Sequence, residues 1–99
     1  MVQPSLILLV KFKSPLSLEE ITKVVDSRID AFRALKGLQQ KYYLQEPGTQ
    51  EYAGLFFWES KKDFISFRDS ELRATITKAY QTEGEPRVEV FSVIRPLRE

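Results

Sequence analysis

Ninety-nine residues make one domain, and a formal net charge of +1 with 29% charged residues lacks the basic excess of a dedicated nucleic-acid binder. No apolar run approaches the length of a membrane span. The chain has neither cysteine nor histidine, which excludes a disulfide, a thiolate nucleophile, cysteine or histidine metal ligands and the commonest general base.

Ser5–Lys13 reads as the first strand, with Leu6, Leu8, Val10 and Phe12 on one face and Ile7 and Leu9 opening the other. No small-residue cleavage site follows Leu6–Val10, so a cytoplasmic location is expected. Pro15 ends the strand. Ser17 and Glu20 then form a capping-box signature. Leu18, Ile21, Val25, Ile29, Phe32 and Leu35 recur at helical spacing as one apolar stripe, with Arg28, Asp30, Arg33 and Lys36 expected off it. Gly37 is the expected helix stop.

Leu38–Gln45 reads as strand two, with Leu38, Gln40, Tyr42 and Leu44 on one face and Gln39, Lys41 and Tyr43 on the other. Pro47-Gly48 marks a turn into strand three, Glu51–Glu59. That strand is apolar on both faces: Tyr52, Gly54, Phe56 and Trp58 point one way, and Ala53, Leu55 and Phe57 the other. It therefore needs cover on two sides. Ser60 with Asp63 is the next helix start. Phe64, Phe67, Leu72, Ile76, Ala79 and Tyr80 form a stripe that Asp69-Ser70 interrupts, giving two short helices or one kinked helix. Gly84 and Pro86 close the segment, and Arg87–Ile94 is strand four, with Val88, Val90 and Ile94 on one face.

The order β-α-β-β-α-β predicts an α+β, ferredoxin-like single domain over residues 1–99, with a four-stranded antiparallel sheet. Right-handed crossovers place both helices on one sheet face and leave the other bare. Four strands present roughly 400 Å² there. A two-fold homodimer, sheet against sheet, is the simplest cover; a monomer with an apolar sheet face is the alternative.

RNA-recognition modules share this order, but here the aromatics they stack on bases are missing. Gly54 stands where the second stacking aromatic of strand three belongs, and Leu6–Val10 offers none. No nucleic-acid partner is expected.

The residues from Gly37 to Tyr80 resemble the dimeric α+β barrel superfamily. The similarity rests on Gly37-Leu38 with Lys41 and Tyr43, on Phe57-Trp58-Glu59-Ser60 with Phe64, and on the Phe67, Ser70, Leu72 spacing. The sequence looks most like YdhR-type monooxygenase-like proteins, and less closely like antibiotic-biosynthesis monooxygenases. The resemblance implies a homodimer whose subunits each hold a pocket between sheet and helices for a small hydrophobic or aromatic molecule. Some relatives oxidise phenolic or quinol-type substrates with dioxygen and no cofactor. It further implies Tyr42, Trp58, Phe67 and Tyr80 as pocket lining and Lys41 and Tyr43 as catalytic candidates, with no metal. Haem-degrading relatives have tryptophan where this chain has Phe67 and histidine at or beside Thr77, so haem degradation is not expected.

Each of these residues also has a structural reading. Tyr42, Trp58 and Phe67 can be plain core, Tyr80 can end a helix stripe, and Lys41 can snorkel outward or pair with Glu59. A non-catalytic ligand-binding or stress-related dimer is the alternative function.

Overall fold

A computed structural model describes residues 3–98. The elements are β1 (Leu6–Lys13), α1 (Leu18–Arg33), β2 (Leu38–Gln45), β3 (Glu51–Trp58), α2 (Lys61–Arg68), α3 (Glu71–Ala74), α4 (Ile76–Ala79) and β4 (Arg87–Ser92). The sheet runs β2-β3-β1-β4, with every neighbouring pair antiparallel. This is the expected ferredoxin-like arrangement.

Local chemistry starts the helices. At α1 the Glu20 amide donates to Ser17 Oγ at 3.2 Å and the Ser17 amide donates to Glu20 Oε1 at 2.9 Å, closing the capping box. Ser60 caps α2 by accepting from the Asp63 amide at 3.1 Å, and Ser70 caps α3 by accepting from Arg73. Residues 61–79 thus form three short helices rather than one or two, because Ser70 restarts the chain and Thr75 lies between the last two turns. Gly37 is not the residue that stops α1, which ends at Arg33 with Ala34 as its cap. Gly37 instead has φ +80°, and a Cβ there would lie 2.1 Å from Asp63 Oδ2. It lets the turn after α1 pass close to the start of α2.

The core lies between the helices and one sheet face. Leu6, Leu8, Val10 and Phe12 of β1 and Tyr52, Phe56 and Trp58 of β3 are buried against Ile21, Phe32, Phe64, Phe67, Ile76 and Tyr80. Each large apolar side chain so buried stabilises the fold by about 1.5–3 kcal/mol. β1 and β3 keep the predicted alternation, as the Leu6–Trp58 to Phe12–Tyr52 register requires.

β2 does not keep it. Its register against β3 shifts between Leu38 and Gln40. Leu38 pairs with Trp58, yet Lys41 pairs with Phe56 and Tyr43 with Gly54, all on the helix-facing side. Gln40, Tyr42 and Leu44 oppose Phe57, Leu55 and Ala53 on the other side. The predicted grouping of Leu38 with Tyr42 and Leu44 is therefore corrected by a β-bulge, which reverses the facing of every later residue in the strand.

Among the described residues no element covers the other face. Ile7, Leu9, Leu55, Phe57, Tyr42, Leu44 and Phe91 stand on it by register, and Tyr42 and Phe91 are each 52% exposed. β4 ends at Ser92, two residues short of its expected end, so Ile94 lies outside the sheet and is almost wholly exposed. Among the described residues no helix is long and apolar enough to cross a membrane.

Candidate functional site

A small cavity lies between α1 and the β2–β3 half of the sheet, about 30 Å³ in volume. That is room for a water molecule or a small polar group. Val10, Phe12, Ile76 and Phe56 give it apolar walls, and Lys41, Tyr43 and Tyr80 supply its polar and ionisable groups. A second recess of about 220 Å³ shares Ile21, Val25, Tyr43, Leu44 and Tyr52 with it and adds Leu18, Thr22 and Gln45. The smaller is termed the inner pocket, and the larger, which adjoins it through the shared residues, the vestibule.

Lys41 is turned inward by the bulge. Its Nζ lies 3.6 Å from the centre of the Phe32 ring, 4.3 Å from that of Tyr43 and 4.4 Å from that of Phe56. Gly54 gives the stem room, since a Cβ there would stand 3.1 Å from Lys41 Cε and 3.0 Å from Phe56 Cε1 and press both aside by a few tenths of an ångström. Lys41 makes no ion pair among the described residues; the alternative partner Glu59 is exposed and does not meet it. Burial, with the Arg28 charge second, pushes its pKa down to about 7. The three ring faces act in the opposite direction, because they attract the ammonium form.

Arg28 of α1 lines neither recess but stands beside the site. It donates to Thr75 Oγ1 at 3.3 Å and to the Leu72 carbonyl at 3.2 Å. Its guanidinium carbon lies 5.6 Å from the Phe32 ring centre and 6.0 Å from that of Tyr80. Its Nε is buried without a hydrogen-bond partner. The sequence reading missed Arg28, yet the signal was present. It falls three residues after Val25 and four before Phe32, at the centre of the apolar stripe.

Tyr80 is buried, and its hydroxyl has no hydrogen-bond partner among the described residues. Burial, then the neighbouring Tyr43 phenol, push its pKa up to about 12, so it stays a neutral phenol. Its carbonyl accepts from Ser14 Oγ at 2.7 Å, and Ser14 Oγ in turn accepts from the Leu16 amide at 3.1 Å. Ser14 is fully buried, so it fixes the residue that follows α4 to the end of β1. Burial raises the Tyr43 phenol as well. Tyr52, by contrast, donates its hydroxyl to the Leu16 carbonyl at 2.9 Å and offers the cavity only its ring.

Three of the predicted site residues thus meet at one cavity: Lys41, Tyr43 and Tyr80. The other three do not. Tyr42 stands on the open sheet face, edge-on to Phe57, because of the bulge. Trp58 is wholly buried against Phe56, Phe64 and Phe67 at the far end of the sheet. Phe67 packs within the same aromatic cluster. Among the described residues, no three His, Cys, Asp or Glu side chains are placed to hold a metal ion.

No family model matches the chain, and no curated protein does. Solved structures match over nearly the whole length. SnoaB, a cofactor-independent oxygenase from Streptomyces nogalater, superposes with TM-score 0.76 at 14% identity, over 97% of this chain and 99% of that one. A Caulobacter crescentus protein provisionally named an antibiotic biosynthesis monooxygenase gives 0.74 at 15%, over 95% and 93%. The haem degrader MhuD from Mycobacterium tuberculosis, solved with two haems in its active site, gives 0.72 at 17%, over 93% and 98%. At such identities the likeness is one of fold: the chain has the ferredoxin-like α+β fold shared by these monooxygenase-like proteins.

Proposed function

We propose that this chain, with the fold of the antibiotic-biosynthesis-monooxygenase-like proteins, is a cofactor-independent oxygenase of small aromatic or quinol-type molecules that works as a homodimer. The observation that carries this reading is Lys41: an amine held among three aromatic rings, in an apolar cavity, with no acidic partner. At neutral pH a pKa of about 7 leaves much of this amine unprotonated. A neutral amine accepts the proton of a phenol, or of a carbon acidified by a ring carbonyl. The newly formed ammonium, with the Arg28 charge beside Phe32 and Tyr80, then stabilises the carbanion or phenolate in apolar surroundings that screen charge less than bulk water does. The electron-rich anion reduces dioxygen. For an anthrone-type methylene the balance is CH₂ plus O₂ giving C=O plus H₂O, so one oxygen atom stays on the substrate and the other leaves as water.

Oxygen uptake with anthrone and naphthohydroquinone tests this. Wild-type protein is expected to consume oxygen, and Lys41→Met to lose on the order of 100-fold or more in rate. Absence of uptake with any compound that binds overturns the reading.

The small inner cavity favours one other function, holding a ligand without turnover. Native mass spectrometry separates the two, since a co-purified and chemically unchanged molecule that consumes no oxygen supports binding alone. The dimer proposal rests on the open sheet face and its apolar side chains.

A further inference from the structure

We propose that the cavity selects an aromatic carboxylate, seating the acidic group beside Lys41 and Tyr80 and the rings in the outer vestibule, with uptake of one proton by Lys41. This rests on reading the cavity as the ligand site; a carboxylate so seated keeps Lys41 as its ammonium partner, so for such a ligand the lysine binds and is not the base.

The shape argues for it first. The inner pocket holds about 30 Å³ and is lined by Lys41 and Tyr80, neither of which lines the vestibule; the vestibule holds about 220 Å³ and has Leu18, Ile21, Val25 and Leu44 beside Thr22 and Gln45. A compact polar head inside and a flat apolar body outside fit that division.

Charge argues for it next. From β2, Lys41 and Tyr43 face the pocket; from α1, Arg28 approaches; from the residue after α4 comes Tyr80; from β3 comes Tyr52, whose hydroxyl is already bonded. No aspartate or glutamate lines either compartment. The acids of α1, Glu19, Glu20, Asp26 and Asp30, are exposed. Glu46 and Glu51 engage Lys11, which the register places on the open face. The Lys41 amine and the Tyr80 hydroxyl, which has no partner, are therefore donors awaiting an acceptor. A single anionic head satisfies both and needs no second charge to balance it. A carboxylate fits this pair better than a phosphate dianion, since among the described residues Lys41 is the one cation that lines the pocket.

Linkage follows. The lysine exchanges its proton near neutrality, and an anion beside it favours the ammonium. Above pH 7, binding then takes up a proton: amine, proton and carboxylate give the ammonium–carboxylate pair.

The test is isothermal calorimetry under nitrogen, with 2-naphthoate and its neutral match 2-naphthamide, at pH 6 and pH 8 in buffers of different ionisation enthalpy. Naphthoate should bind at least tenfold more tightly than naphthamide. It should take up close to one proton at pH 8 and far less at pH 6. Lys41→Met should abolish both the preference and the uptake, and Lys13→Met, on an exposed residue, should change neither. Equal affinity for the two ligands, a preference that survives Lys41→Met, or no naphthoate binding at millimolar concentration overturns the proposal. Since no turnover occurs under nitrogen, naphthoate selectivity without oxygenase activity would remove the oxygenase reading and leave this one standing. Oxygenation of neutral quinols without naphthoate selectivity would do the reverse.

Discussion

Lys41 Nζ sits 3.6 Å above the ring of Phe32, and the ring's other close cation is Arg28 on the same helix. Two positive groups thus share one aromatic residue with no carboxylate between them. The arrangement is costly for the fold on its own, which gives it measurable consequences.

The first concerns stability and pH. Folding lowers the Lys41 pKa from 10.5 to about 7. Between those values the unfolded chain holds a proton that the folded chain lacks, so stability rises with pH across that window and the penalty is full below pH 7. Lys41→Met removes the ionisable group. Its unfolding free energy from urea titration should exceed that of wild type at pH 7, by on the order of 1–3 kcal/mol. Its stability should also lose the rise between pH 7 and pH 10.5. Denaturation curves at pH 6, 8 and 10 measure both effects.

Arg28→Met keeps the stem packed on Phe32 and Tyr80 but removes the charge. The Lys41 pKa should rise, since the Arg28 charge is its second cause of depression. A ¹³Cε-resolved NMR titration reads this directly. The bond to the Leu72 carbonyl is lost as well, at a cost of about 1.5–3 kcal/mol, although Thr75 Oγ1 still donates to that oxygen.

Two hydroxyls near the site should respond oppositely to removal. Tyr80→Phe deletes a buried hydroxyl with no hydrogen-bond partner and should leave stability unchanged or raise it by about 1 kcal/mol. Ser14→Ala deletes a fully buried hydroxyl with two backbone bonds and should cost about 1–3 kcal/mol. Thermal unfolding of the two variants in parallel makes the comparison.

Leu55→Glu places a charge at the centre of the open sheet face, opposite Leu9 and Tyr42. The proposed dimer should dissociate, giving a monomer by sedimentation at micromolar concentration while the circular dichroism spectrum keeps its native form. A wild-type monomer at the same concentration would remove the dimer proposal.

Most of the fold could be read from side-chain periodicity, and the failures have physical causes. β1, α1 and β3 are regular and strongly patterned, so alternation and capping residues located them to within two residues or so. β2 looked like an ordinary amphipathic strand. Its bulge depends on how Leu38 and Gln40 meet β3, a pairing that no local pattern encodes. That single shift decided the site: it brought Lys41 and Tyr43 in and sent Tyr42 out. Trp58 and Phe67 carried the same aromatic signal as Tyr80, but residue type does not say whether a ring borders a cavity or fills the core. Arg28 was overlooked because a charged residue on an apolar stripe is ordinarily assigned to the neighbouring surface. Its position in the stripe was the better guide.

Gly54 leaves a notch on the helix-facing side of β3, between Val10 and Tyr43, and the Lys41 stem fills it from the neighbouring strand. Positions 41 and 54 therefore share one volume. In homologous chains they should covary inversely in size, with alanine or serine at 54 accompanied by a shorter side chain at 41. The identity of residue 54 alone would then show which homologues keep an amine in the cavity, even where their overall similarity to this chain is too low to align with confidence.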